Sequence, residues 1–206
     1  MLHVARKKSF CKVLGPGERS VIWFHGCSKR CPGCIASSMN ESDEYESYQP
    51  EQLAQWIWHN HGIEGITLSG GEPFEQPLEF LEQFLAEIRQ KSNLSVLCYT
   101  GYRFEQLIDE EKFQKILQHI DVLIDGEYRI DQDTGQRWRG SENQRFHFLT
   151  PRYLSEKENW FTISERQIEI ELEIDGALLL SGVPSKNFID DLTTQLNHRN
   201  ISIDFS

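Results

Sequence analysis

The chain has 206 residues, 38% of them hydrophobic, and a net charge of −11 from 21 Lys and Arg against 32 Asp and Glu. That length suits one domain with a small appendage and falls short of the about 250 residues of a complete eight-fold (β/α) barrel. The acidic balance argues against nucleic acid as a partner, because phosphate binding wants a basic face, and no run approaches the ~18 apolar residues of a membrane helix.

The N-terminus, Met1 to Cys11, is basic and lacks the apolar segment of a secretory leader, so the expected location is cytoplasmic. Its cations Arg6, Lys7, Lys8 and Lys12 read as solvated. Val21-Ile22-Trp23-Phe24 is a compact apolar run, a first strand that feeds His25-Gly26-Cys27-Ser28-Lys29-Arg30-Cys31-Pro32-Gly33-Cys34. The spacing C-x3-C-x2-C puts three thiols on one short loop. Three thiolates can hold three irons of a four-iron cluster, which is usually held by four cysteines, and leave the fourth iron open for chemistry. They can equally form a closed Cys3His zinc site with His25. Five cysteines do not make an even disulfide framework. On the triplet alone, cluster and zinc stand level. Lys29 and Arg30, inside that loop, are candidates for docking an acidic electron donor.

Asn40 to Tyr48 is acidic and polar and reads as a surface loop. Pro50 opens a helix with Leu53, Trp56 and Ile57 on one face. Ile66-Thr67-Leu68 is a second strand, and Ser69-Gly70-Gly71-Glu72-Pro73 is a turn where backbone can approach a ligand closely. Pro77 starts a longer helix carrying Leu78, Leu81, Leu85 and Ile88. Leu94 to Tyr99 is a third strand with Thr100-Gly101 at its end. Glu110 to Ile120 is helical, and Val122 to Ile124 is a fourth strand ending at Asp125. Strands alternating with helices predict a parallel sheet with right-handed crossovers. The fold class is therefore α/β, an incomplete (β/α) barrel with its ligand site at the C-terminal strand ends. Arg137, Arg139, Ser141, Asn143 and Gln144 then form a polar cluster. It either meets a ligand or partner, or pins its own loop. Cys11 and Cys98 lack ligand spacing to the triplet and read as ordinary thiols.

The tail changes grammar. Gln167 to Ile174 alternates apolar and acidic residues, Asp175-Gly176 is a hairpin turn signal, and Ala177 to Ser181 returns. A helix capped by Ser185 carries Phe188, Leu192 and Leu196, and Ile201 to Phe205 alternates again. Residues 151–206 thus form a β-β-α-β extension to a core of 1–150, either a docking module for a partner or a cover over the barrel.

The cysteine triplet followed by Gly-Gly-Glu-Pro resembles the radical S-adenosylmethionine (SAM) superfamily. Several segments in order narrow the resemblance: Gly15-Pro16-Gly17-Glu18-Arg19, Tyr99-Thr100-Gly101-Tyr102, Val122-Leu123-Ile124-Asp125-Gly126 and Trp138-Arg139-Gly140-Ser141-Glu142-Asn143-Gln144. From about Val13 to Leu149 the chain is similar to glycyl-radical-enzyme activases, above all the activating proteins of anaerobic (class III) ribonucleoside-triphosphate reductases. The tail from Pro151 extends past the short members of that group. The resemblance implies that Cys27, Cys31 and Cys34 bind a [4Fe–4S] cluster. It implies that Gly70, Gly71 and Glu72, with Thr100 and Gly101, contact SAM, and that no catalytic side chain is needed beyond cluster and SAM. It implies a radical SAM oxidoreductase that makes a 5′-deoxyadenosyl radical. Its partners would be a glycyl-radical enzyme and a flavodoxin- or ferredoxin-type donor. A radical SAM enzyme acting on a small molecule or peptide is the alternative, and a zinc-binding non-enzymatic module is the third reading.

Overall fold

A computed structural model of the chain describes residues 1–37, 39, 44–133, 135–162, 165–172, 174, 176–199 and 201. Its strands are β1 (Leu2–Cys11), β2 (Arg19–Phe24), β3 (Glu46–Tyr48), β4 (Gly65–Gly70), β5 (Ser95–Tyr99), β6 (Val122–Asp125), β7 (Arg145–Phe148), β8 (Ile168–Leu172) and β9 (Leu178–Gly182). Its helices are α1 (Pro50–His59), α2 (Leu78–Lys91), α3 (Phe104–Ile108), α4 (Glu111–Leu117), α5 (Lys157–Thr162) and α6 (Phe188–Asn197). No described helix is long and apolar enough to cross a membrane.

Seven strands form one sheet in the order β3-β1-β2-β4-β5-β6-β7. The central four, β2, β4, β5 and β6, run parallel, and antiparallel strands flank them. The α/β class with a mostly parallel sheet is as the strand–helix alternation predicts. Strand period two sorts the side chains to opposite faces. Ile66, Leu68, Val96, Cys98 and Leu123 enter one core cluster with Leu53 of α1, Leu85 and Ile88 of α2 and Ile116 of α4. Leu97, Val122 and Ile124 point the other way, into a cluster with Trp138, Phe146 and Trp160. The crossover helices therefore line one face, and aromatic side chains from the last third of the chain line the other.

The N-terminal ends of the parallel strands are tied by one side chain. Arg19 is fully buried. Its guanidinium donates to Thr67 Oγ1 at 2.8 Å, Ser95 Oγ at 2.8 Å, Pro16 O at 3.0 Å and Ile66 O at 2.6 Å. These neutral acceptors satisfy a charge that would otherwise be costly to bury. The Gly-Pro-Gly-Glu-Arg segment thus serves the sheet end opposite the cysteine loop.

Two sequence expectations need correction. Residues 2–11 are a strand, and its cations are largely engaged. The Lys8 side chain is buried, with Nζ 2.8 Å from Glu169 and 2.9 Å from Glu171. Lys7 pairs with Glu46 at 3.0 Å, and the Arg6 guanidinium lies 5.2 Å over the Trp23 ring. Only Lys12 is largely exposed, 3.9 Å from Glu18. The expected surface loop is also partly a strand, since Glu46–Tyr48 pairs with Leu2–Val4. Residues 40–43 of it lie outside the described residues. In both cases the partner that orders the segment comes from far along the chain.

In the tail, β8 and β9 pair antiparallel as their own two-stranded sheet, Ile170 opposite Leu180. Asp175 of the expected turn, and Ser202 to Phe205 of the expected last strand, lie outside the described residues. The helix starts at Phe188 with Asn187 as its cap, two residues beyond the expected Ser185.

Candidate functional site

The site forms where β2, β4 and β5 end. Cys27, Cys31 and Cys34 follow β2, half-buried and without a disulfide. Left-handed backbone at Gly26 (φ 88°), Arg30 (φ 46°) and Gly33 (φ 75°) curls the loop. Cys34 N donates to Cys31 O at 3.1 Å, which closes a turn between two of the thiols. Burial pushes the Cys27 and Cys31 thiols above their ordinary value. Among the described residues no three His, Cys, Asp or Glu gather as ligands of a single metal ion. A four-iron cluster makes a different demand, since each cysteine holds its own iron. His25 stacks on Tyr45, with ring centroids 4.5 Å apart.

The Gly-Gly-Glu-Pro turn lies directly against this loop. Gly71 N donates to Phe24 O and Glu72 N donates to Gly26 O, each at 2.7 Å. The approach is possible only at glycine: a Cβ on Gly71 would stand 2.2 Å from Gly26 O. Beyond Pro73 the chain grips the loop twice more. Gln76 Nε2 donates to His25 O at 2.8 Å while its Oε1 accepts from His3 N at 2.9 Å. Glu75 accepts from Ser28 N at 2.8 Å, from the Ser28 hydroxyl, and from the Tyr102 hydroxyl at 3.2 Å.

Glu72 ties the turn to the next strand end. Its carboxyl is buried and accepts from Phe74 N at 3.0 Å, Thr100 Oγ1 at 2.8 Å and Gly101 N at 2.7 Å. Burial pushes this carboxyl up to about 7, against the pull of those three donors. Of the expected site residues, Glu72 therefore hydrogen-bonds Thr100 and Gly101 to the end of the Gly70-Gly71 segment, beside the cysteine loop. Lys29 turns inward: its ammonium sits 3.8 Å over the Tyr102 ring and 3.9 Å from Glu127. Arg30 is exposed.

The polar cluster after β6 pins its own loop. Gln144 accepts from Gly140 N at 2.8 Å and donates to Gly126 O at 2.9 Å, Asn143 donates to Glu127 O at 2.8 Å, and Arg139 donates to Gln144 O at 2.6 Å. Trp138, at φ 61°, turns its ring into the aromatic cluster under β6 and β7. Asp125 is likewise engaged. Burial alone would raise its carboxyl, but the His147 ring 3.1 Å away and hydrogen bonds from Arg145 and the Phe104 amide hold it well below the usual range. Glu75, Gln76 and Tyr102 escaped sequence reasoning. Their only signal is position, three and four residues after Glu72 and one after Gly101.

The family described as "4Fe-4S single cluster domain" matches residues 13–147, and the chain belongs to that family. The chain is 31% identical over 137 residues to the anaerobic ribonucleoside-triphosphate reductase-activating protein of Enterobacteria phage T4, covering 65% of this chain and 85% of that protein. It is 30% identical over 147 residues to the protein of the same name from Escherichia coli strain K12, covering 66% and 92%. A pyruvate formate-lyase-activating enzyme of Clostridium pasteurianum is 28% identical over 141 residues, covering 64% of this chain and 56% of that enzyme. The expected kinship with radical SAM enzymes of the glycyl-radical activase type is borne out, and the non-enzymatic zinc module is set aside.

Proposed function

We propose that this chain generates a glycyl radical on a partner of the anaerobic ribonucleotide reductase type, with Cys27, Cys31 and Cys34 holding a [4Fe–4S] cluster and Gly70, Gly71, Glu72, Thr100 and Gly101 lining the place of SAM. The donor set supports the reading: three free thiols share one loop and no other cysteine is near in sequence. When bound, the cluster supplies the electron that reductively cleaves SAM to a 5′-deoxyadenosyl radical. The chain's own residues position. The Gly71 and Glu72 amides are occupied by Phe24 O and Gly26 O, and the SAM ammonium, itself a donor, would go to carbonyls of this turn. Glu72 holds the Gly70–Glu72 and Thr100–Gly101 segments as one wall.

The same reading takes the sheet as an incomplete barrel, with 1–150 as its core. Two features support it: the parallel strands carry helices on one face, and the family match ends at residue 147. It takes 151–206 as a cover over the opposite face, because Trp160 packs there with Leu97 and Ile124. A flavodoxin- or ferredoxin-type donor in the cytoplasm would supply the electron, and unpaired thiols suit such a reducing compartment.

The observation that carries the proposal is the locking of Gly71-Glu72 onto the end of β2 and the start of the cysteine loop by two 2.7 Å bonds, to Phe24 O and Gly26 O. The test is anaerobic incubation with SAM, reductant and a candidate reductase, read by electron paramagnetic resonance. A doublet glycyl-radical signal is expected. SAM cleavage without a protein radical refutes the activase reading, and protein without iron and sulfide refutes the cluster.

A further inference from the structure

The Gly-Gly-Glu-Pro turn does not end its contact with the cysteine loop at Pro73. Two residues on, Glu75 meets three donors. The Ser28 amide lies 2.8 Å from Oε2, the Ser28 hydroxyl meets Oε1, and the Tyr102 hydroxyl lies 3.2 Å from Oε1. Ser28 is the residue after Cys27. A carboxylate is an acceptor-only group with room for several donors. Glutamine in its place has one acceptor oxygen and brings two N–H donors of its own. The site is thus built for a charged acceptor. Among the described residues no ion pair is made to Glu75: the Lys29 ammonium lies over the Tyr102 ring and faces Glu127. Gln76 fixes the loop one step earlier, through His25 O, without any charge.

We propose that Glu75 is a positioning residue for the cluster, holding Cys27 through Ser28 and setting the cluster's reduction potential with its negative charge. This rests on the proposed [4Fe–4S] reading. A fixed anion beside a cluster disfavours adding an electron to it, and hydrogen bonds and exposure around clusters tune their potentials. Glu75 is exposed, so salt and solvent limit the effect to a few-fold in the reduction equilibrium. Two consequences follow. Removing the charge raises the potential, and removing the acceptor frees the Ser28 amide.

The test uses the full chain, with Glu75→Gln, Glu75→Ala and, as a control for net charge, Glu51→Gln on the surface of α1. Hydrogen exchange is read on protein without iron. The midpoint potential is read by spectroscopic titration of anaerobically reconstituted protein. In Glu75→Ala, exchange over residues 26–31 is expected to rise about tenfold, the value of one lost hydrogen bond. In Glu75→Gln, the potential is expected to rise by about 28 mV, a threefold change at 59 mV per decade for one electron, with Glu51→Gln unmoved. Unchanged exchange in Glu75→Ala, or a Glu75→Gln potential equal to that of wild type or Glu51→Gln, overturns the proposal. Wild-type protein that takes up no four-iron cluster instead overturns the functional reading beneath it, a failure visible in iron and sulfide content before any variant is compared.

Discussion

Gly71→Ala is the sharpest test of how this site is held. The added Cβ would stand 2.2 Å from Gly26 O, 2.8 Å from Gly26 C and 2.9 Å from Gly26 N. Ordinary contact needs well over 3 Å, so the loop backbone must retreat by about an ångström. That movement breaks the 2.7 Å bonds from Gly71 N to Phe24 O and from Glu72 N to Gly26 O. Each is worth about 1 kcal/mol, and buried groups left unpaired cost a further 1–3 kcal/mol or so. The sum is about 3–5 kcal/mol. For a chain of this size that lowers the melting temperature by roughly 6–20 °C. The melt is measured on protein without iron, so cluster loading cannot confuse it. Gly62→Ala serves as reference: Gly62 has φ +89° and nothing within 4 Å of an added Cβ, so only the left-handed penalty of about 1–2 kcal/mol applies. A Gly71→Ala melt within a degree of wild type would refute the close approach.

Three other substitutions probe the rest of the frame. Glu72 has a folded value near 7 against about 4.3 unfolded. Between about pH 5 and 7 the folded protein therefore holds a proton the unfolded chain has lost, and stability falls as pH rises. Glu72→Gln is expected to flatten that decline in urea titrations at pH 5 and 7.5; equal slopes in both proteins would contradict the buried carboxyl. Trp160→Ala empties a cage of Trp138, Phe146, Phe148 and Tyr153. Unfolding free energy should drop by about 3–5 kcal/mol, and a loss under 1 kcal/mol would mean α5 only rests on the surface. Lys8→Met leaves Glu169 and Glu171 without their cation. Because Glu171 is half-exposed, we expect a loss of about 1–2 kcal/mol and faster exchange in β8, and unchanged exchange there would deny that the pair anchors the tail.

What was legible in the sequence is what is encoded locally. The cysteine spacing, the Gly-Gly-Glu-Pro turn and the apolar runs of β2, β4, β5 and β6 each declare themselves within ten residues. β1 does not. Arg6, Lys7 and Lys8 read as solvated because the carboxylates that receive Lys8, Glu169 and Glu171, lie some 160 residues on. Glu46–Tyr48 reads as a loop because its strand character comes only from pairing with Leu2–Val4. At the site, Glu75 and Gln76 look like the lead-in to α2, and their work on Ser28 and His25 appears only once β2 and β4 lie side by side. Thr100 and Gly101 stand out by position at a strand end, yet both donate to Glu72, a link no spacing rule gives.

The extension beyond the matched family span is tied to the site through one shared segment. Arg166 pairs with Asp133 at 2.7 Å and donates to Arg139 O at 2.9 Å and Gly140 O at 3.0 Å. Gly140 in turn is so close to Tyr128 that a Cβ there would lie 2.8 Å from its ring. Tyr128 and Ile130 press on the cysteine loop from the far side, where a Cβ on Gly33 would lie 3.6 Å and 2.9 Å from them. The loop is thus held on one flank by the Gly71–Gln76 turn and on the other by Tyr128 and Ile130, whose neighbours Asp133, Arg139 and Gly140 are braced by Arg166. The first flank lies wholly within the matched span, whereas the second takes a brace from outside it. Disturbing Arg166 should therefore loosen the Cys31–Cys34 side of the loop while leaving the Ser28 contacts intact. Amide exchange can resolve that pattern, because the two halves are held by separate contacts.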